Sequence, residues 1–323
     1  MSLTNAPISL STCVEAKGVV MVECMEHVDC PVCGLPPQVR RMSDADSARY
    51  VRCSACRTVY ASPRSSRAER FAWLHETFGL GPYSLELADN RKEVLSAEAA
   101  LIKKEKCAGK LLDIGCSTGM MFEYFSGSDW QLFGTEISPS AGDHASKTYN
   151  AQVHAGLLET AGFPDNYFDV VTMIDVFYYI DDPLAELLRI ERLIRPDGLL
   201  AIEIPGQSYM ISRSRGPLCL LMNGKWTRLK ADSSYVNWYT CHSLEQLLRR
   251  SGFEAIRWEV VDSGSSFGIA RLISGKYDAA VRRLGKRWPY FLNWAPKYLC
   301  FSGPGRKLLS VRNAPGKRRP AVP

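Results

Sequence analysis

Residues 111–119 read Leu-Leu-Asp-Ile-Gly-Cys-Ser-Thr-Gly, an apolar run that stops at a glycine turn and opens directly into the helix-like stretch 120–125. A strand that turns sharply into a helix needs glycine where its main chain presses against a ligand, and the first helical turn presents unpaired N–H groups. Gly115 and Gly119 occupy those two positions. The spacing is not G-x-G-x-x-G, because position 117 is Ser and no glycine stands at 118 or 120, so a dinucleotide pyrophosphate is poorly served. Asp113, just ahead of the turn, would repel a pyrophosphate but suits a ligand that carries cationic groups.

Outward from the turn, the pattern continues in order. Residues 131–136 read as a second strand that ends on Glu136, about twenty positions after the turn, where a carboxylate can hold two ribose hydroxyls. A third strand, 151–154, leads into the loop 155–159. Residues 168–176 form a near-continuous apolar run, the mark of a strand buried on both faces, with Asp175 at its carboxyl end. Asp182-Pro183-Leu184 starts a helix that stays amphipathic to Ile194; Arg195-Pro196-Asp197-Gly198 ends it, and 199–204 is the fifth strand.

Asp-x-Gly-x-x-x-Gly after an apolar strand resembles the first motif of class I S-adenosylmethionine-dependent methyltransferases. The resemblance implies an α/β fold built on a Rossmann-like seven-stranded sheet, with S-adenosylmethionine as cofactor. It implies a cofactor site made of Asp113, Gly115, Cys116 and Gly119 at the turn, Glu136 and Ile137 at the ribose, Leu158 in the adenine loop, and Asp175 and Val176 after the fourth strand.

The chain has 323 residues, is 46% hydrophobic and contains no apolar run near the length of a membrane span, which predicts a globular protein with one large domain plus extras. Residues 1–26 carry Glu15, Glu23 and Glu26 against Lys17 and lack the basic start and apolar core of a signal peptide, so the expected location is the cytoplasm. Eleven cysteines, an odd count, favour reduced thiols and metal binding there. Four of them form two Cys-x-x-Cys pairs, Cys30/Cys33 and Cys53/Cys56, separated by nineteen residues. Such knuckles wrap a tetrahedral zinc with four thiolates, and a closed shell of this kind is structural because it leaves no position for water. Residues 38–42 and 48–51 can supply the short strands of a zinc ribbon; Arg57 stands where the second knuckle usually has glycine.

A zinc ribbon leading through a helical connector into this core is similar to a bacterial group of methyltransferase-domain, quinol-methylase-like proteins, over residues 28–273. On that basis the chain divides into an N-terminal extension (1–27), ribbon (28–64), connector (65–108), methyltransferase domain (109–275) with an acceptor-covering insertion (205–242), and a tail (276–323). The sheet would end with a sixth strand at 255–261 and a hairpin partner at 267–273. Many relatives carry His after the fourth strand and before an aromatic pair near 238; this chain has Asp175-Val176-Phe177-Tyr178-Tyr179 at the first place and Tyr235 at the second.

Methyl transfer asks the protein to align an acceptor and, where needed, take its proton. The candidates are Tyr178, Tyr179 and His242, with Tyr235 and Tyr239 nearby in the insertion; each can equally be a packing residue, and Asp181 and Asp182 read as helix caps. Residues 271–323 hold thirteen Lys or Arg against one Asp, a balance of +12 that leaves residues 1–270 at −6 within the overall +6. Mixed with Trp288, Tyr290, Phe291, Trp294, Tyr298 and Phe301, this charge suits an anionic membrane surface, or equally a helix packed on the core with a disordered basic end. The leading expectation is methyl transfer from S-adenosylmethionine to oxygen or carbon of a small-molecule, glycan or lipid-linked acceptor. The alternative is a non-catalytic cofactor-binding protein that recruits a partner or membrane. Nucleic acid comes third, since the ribbon is not strongly basic and no Asn-Pro-Pro-Tyr motif follows the fourth strand.

Overall fold

The computed structural model describes residues 25–37, 41–44, 48–127, 129–207, 235–261 and 297–304. Its N-terminal part contains strands β1 (Arg41–Asp44), β2 (Ala48–Arg52) and β3 (Val59–Arg64), then helices α1 (Arg67–Phe78) and α2 (Pro82–Glu105). The parallel core follows as β4 (Gly109–Ile114), β5 (Trp130–Glu136), α3 (Pro139–Tyr149), β6 (Gln152–Ala155), β7 (Phe168–Met173), α4 (Pro183–Leu193) and β8 (Ile194–Pro205). The described residues continue with β9 (Asn237–Trp238), α5 (Cys241–Arg250), β10 (Phe253–Val261) and β11 (Lys297–Pro304). No helix among the described residues is long and apolar enough to cross a membrane.

The large sheet runs β10-β11-β8-β7-β4-β5-β6. Strands β4 to β8 pair in parallel, while β11 is antiparallel to both β8 and β10. The strands are apolar because both faces are covered: Leu111, Leu112, Val170, Val171, Leu200 and Ile202 are wholly buried. Chain order reverses between β4 and β7, so the loops after these two strands flank the crevice where open α/β sheets receive ligands.

Several expectations change. Among the described residues β10 pairs with β11, and the hairpin partner expected at 267–273 lies outside them. Leu299, Cys300 and Phe301 are buried, an apolar triplet suited to an interior strand, so the large sheet takes in residues beyond 275. Phe301 lies beneath the Arg257 guanidinium at 4.9 Å, and with Tyr298 it belongs to the sheet rather than to a membrane-seeking tail. The other four tail aromatics lie outside the described residues. The stretch 120–125 gives only a single 3-10 turn at Phe122–Tyr124, since Gly119 at φ +84 delays the helical path and Phe125 at φ −115 already leaves it. The fourth strand stops at Met173 because Asp175 turns left-handed at φ +61.

The small sheet runs β1-β2-β3-β9. Its fourth strand comes from the end of the 205–242 insertion, so the ribbon is not a self-contained unit: Val59 and Tyr60 pair with Trp238 and Asn237. Helix α1 leaves the ribbon with a capping box between Ser66 and Glu69, and Leu80 N–H donates to Ser140 Oγ at the start of α3. Arg67 of α1 pairs with Glu159 after β6 at 3.1 Å, and Phe78 packs edge-on against Tyr179. The α1–α2 corner therefore touches loops on both sides of the crevice.

Candidate functional site

Gly115 continues β4 into the turn at φ +72, its N–H donating to Thr135 O at 2.8 Å. A Cβ there would lie 2.6 Å from Val176 Cγ2, so the loops after β4 and β7 meet where only glycine fits. At Gly119 the added atom would lie 2.7 Å from the Tyr149 ring, which is how the turn closes on α3. Cys116 points away from the crevice: its Sγ packs against Gly134, and burial pushes its thiol well above the ordinary range. It can offer a ligand backbone only.

Glu136 is 5% exposed, and each of its oxygens already has a main-chain donor: Ser117 N–H to Oε2 and Ser138 N–H to Oε1, both at 2.8 Å. Burial raises its pKa, and the N–H groups of Ser138, Ser117 and Ile137 oppose that rise. Ser117 reaches it from the left-handed region at φ +50, so the glycine turn and the acidic strand end form one unit. Asp113, 4% exposed, accepts from Thr172 Oγ1 at 2.7 Å; burial lifts its pKa to about 7, against that hydrogen bond, with Glu136 adding to the rise. Ile137 is half-buried between Glu136 and Ser138, and Leu158 is buried in the 3-10 turn after β6.

Across the crevice, Asp175 accepts from Tyr178 OH at 2.7 Å and from Arg91 of α2 at 2.6 Å. Arg91 also donates to Glu203 of β8 at 2.6 Å. Burial works against the Arg91 charge, but Asp175 and Glu203 outweigh it and raise its pKa. Arg91 and Glu203 were not foreseen. Glu203 did carry a signal, as the lone acid within the apolar run 199–204, whereas nothing around Arg91 separates it from an ordinary solvated helix residue.

Tyr178, Tyr179 and Tyr235 form a trio of rings: centroids lie 4.5 Å apart for Tyr178–Tyr179, 4.7 Å for Tyr178–Tyr235 and 5.1 Å for Tyr179–Tyr235, the last pair stacked at 17°. Burial and the neighbouring Asp175 push the Tyr178 phenol well above its ordinary value, so it is a donor rather than a base near neutral pH. Tyr239 is a core residue tilted against Phe177 at 5.1 Å. His242 lies on the exposed face of α5, its ring 3.0 Å from Gln246 one turn on; its described contact stays within that helix, apart from the trio. Asp182 caps α4 by accepting from Ala185 N–H, whereas Asp181 is no cap but an ion-pair partner of Arg64, Arg67 and Arg70.

Cys30, Cys33, Cys53 and Cys56 converge, with all four Sγ atoms within 4.8 Å of one another and 3.4 Å between Cys30 and Cys56 and between Cys33 and Cys53. Tetrahedral Zn–S bonds of about 2.3 Å require sulfurs roughly 3.8 Å apart, so the spacing fits that ion. The knuckles repeat one geometry: Gly34 N–H donates to Cys30 O and Arg57 N–H to Cys53 O, at φ +73 and +65. Arg57 thus adopts the glycine-like conformation that its position demands. Contact with Cys30 and with Thr58 draws the Cys56 thiol down to about 5, while the same Cys30–Cys56 contact and burial push Cys30 up.

Residues 85–257 match a protein family described as Methyltransferase domain. Among curated relatives, a ubiquinone biosynthesis O-methyltransferase of Rhodopseudomonas palustris (strain TIE-1) is 30% identical over 99 residues, 29% of this chain and 38% of that protein. A probable methyltransferase, ltbC, of Aspergillus luteorubrus is 28% identical over 208 residues, 58% and 72% of the two chains. The chain spans about two fifths of the length of the first curated relatives it matches. Among solved structures, an S-adenosylmethionine-dependent methyltransferase from Thermotoga maritima superposes with a TM-score of 0.51 at 16% identity, covering 73% of this chain and all of that one. Haemonchus contortus phosphoethanolamine N-methyltransferase 2 with S-adenosylhomocysteine gives 0.51 at 15%, covering 77% and 63%. These two likenesses concern the fold, whereas the family match covers more than half of the sequence, and the chain belongs to the methyltransferase domain family.

Proposed function

We propose that this chain is an S-adenosylmethionine-dependent methyltransferase acting on oxygen or carbon of a small-molecule acceptor. The observation that carries the reading is Glu136, a buried carboxylate at the end of β5 that the glycine turn orients through Ser117 N–H. In this reading Glu136 and Ile137 hold the ribose, Leu158 the adenine, and Asp113, Gly115, Cys116 and Gly119 the amino-acid end, with Asp175 and Val176 on the opposite lip. When bound, the cofactor supplies a methyl group on a positively charged sulfur. The protein's part is to orient, to exclude water and to align the acceptor along the tyrosine trio. Relatives named as O-methyltransferases favour a small acceptor. The four cysteines hold one structural zinc.

One observation favours a second reading, a cofactor-binding protein without catalysis: Tyr178 is held protonated and His242 stands on an exposed helix face. An acceptor with its own acidity, such as a phenol or quinol, removes the need for a strong base and keeps the enzymatic reading. Calorimetry with S-adenosylhomocysteine and NAD tests cofactor class, with tight binding of the former expected. Radiolabelled methyl transfer to a panel of catechols and quinols then separates enzyme from binding protein. Preferential NAD binding would defeat the first reading.

A further inference from the structure

Both roots of the 205–242 insertion are tied to the cysteine ribbon. At the entry, Gln207 is 7% exposed and its amide is fully used: Nε2 donates to Arg57 O of the second knuckle at 3.0 Å and to Trp238 O at 2.7 Å, while Oε1 accepts from Arg52 of β2 at 3.1 Å. At the exit, the buried Tyr50 of β2 stacks on Trp238 at 4.4 Å and donates its phenol to Tyr235 O at 2.7 Å. Ala61 N–H of β3 donates to Val236 O, and Val236 N–H donates in turn to Tyr178 O. Asn237 Nδ2 donates to Ile180 O at 2.8 Å. A continuous run of hydrogen bonds therefore leads from the ribbon strands, through 235–237, to the backbone that carries Tyr178 and Tyr179.

We propose that Tyr50 and Gln207 are positioning residues through which the metal-loaded ribbon fixes the tyrosine trio, so that losing the metal loosens this wall and leaves the Glu136 pocket in place. The proposal rests on reading the trio as the acceptor side of the site. Its physical basis is an asymmetry of support. Glu136 is held by Ser117 and Ser138 from the loops after β4 and β5, with no ribbon atom involved. Tyr235 and Val236 take partners from β2 and β3, strands that depend on two short knuckles whose closed metal site supplies folding energy.

Hydrogen exchange on the full chain tests this, comparing zinc-loaded protein, chelator-stripped protein and zinc-loaded Tyr50→Phe, which keeps the stacked ring and all four cysteines but loses the donated bond. Segments 176–181 and 235–239 should exchange about tenfold faster after stripping, and severalfold faster in Tyr50→Phe at unchanged zinc content, while 111–119 and 132–138 keep their protection. In fluorotyrosine-labelled protein, the Tyr235 resonance, assigned by its loss in Tyr235→Phe, should shift in Tyr50→Phe. Faster exchange confined to 28–62, a uniform loss that includes 111–119, or an unaltered Tyr50→Phe would each overturn the proposal. Calorimetry with S-adenosylhomocysteine on the same samples keeps the two readings apart: absent binding defeats the cofactor assignment, and normal binding with unchanged exchange at 176–181 defeats the clamp alone.

Discussion

At Glu136, backbone donors have oriented a carboxylate before any ligand arrives, so little ordering cost falls on binding. Glu136→Ala should weaken S-adenosylhomocysteine binding by about 1–3 kcal/mol, read by calorimetry. Gly115→Ala adds a contact 2.6 Å from Val176 to the left-handed strain of about 1–2 kcal/mol, whereas Gly162→Ala at φ +66 meets open space and bears the strain alone. Thermal melts should therefore rank Gly115→Ala as the more destabilised. Asp113 gives a pH signature. Its folded pKa of about 7 lies above its ordinary value near 4, so folding takes up a proton between those values, and the group's contribution to stability is lost as pH rises through 7. The melting temperature of the wild type relative to Asp113→Asn should fall between pH 5 and pH 8. Gly115 and Gly119 are legible in sequence because their left-handed backbone dictates residue type, and Glu136 because it is the acid that ends an apolar strand. Arg91 is not, because its partners Asp175 and Glu203 lie 84 and 112 positions away.

Among the elements, β11 shows what an alternating pattern leaves undetermined. Residues 267–273 have strand composition and stand at hairpin distance from β10 but lie outside the described residues, among which β10 pairs with 297–304. A hairpin reading looks to near neighbours and so does not find the distant strand at 297–304, which buries Leu299 with no exposure. A chain ending at residue 274 loses the strand between β8 and β10 and leaves two apolar edges open. It should fail to give soluble, cooperatively melting protein, as size-exclusion chromatography and calorimetry would show. Leu299→Ala, a gentler probe, should cost about 2–5 kcal/mol in denaturant unfolding. The parallel strands were readable because a strand covered on both faces is apolar throughout, and β9 was not, since two residues carry no period.

For the whole molecule, ribbon and methyltransferase core share one architecture rather than lying in series along the chain. Cys53→Ser should lower the metal content below one zinc per chain and reduce thermal stability while S-adenosylhomocysteine binding persists, since Glu136 takes no support from the ribbon; metal analysis and calorimetry on one preparation check both halves. The cysteine spacing announced the four-sulfur cluster, but the tie of its strands to residues 207 and 235–238 had no sequence signal, because Gln207 and Tyr50 act through contacts 150 and 185 positions long. That reach sets an order of assembly during synthesis. The four clustered cysteines leave the ribosome about 180 positions ahead of β9, roughly ten to forty seconds at ordinary elongation rates. Throughout that interval β3 presents a bare pairing edge and Tyr50 lacks Trp238, so these strands are sealed long after they are made, and a nascent chain halted before residue 238 carries an adhesive strand.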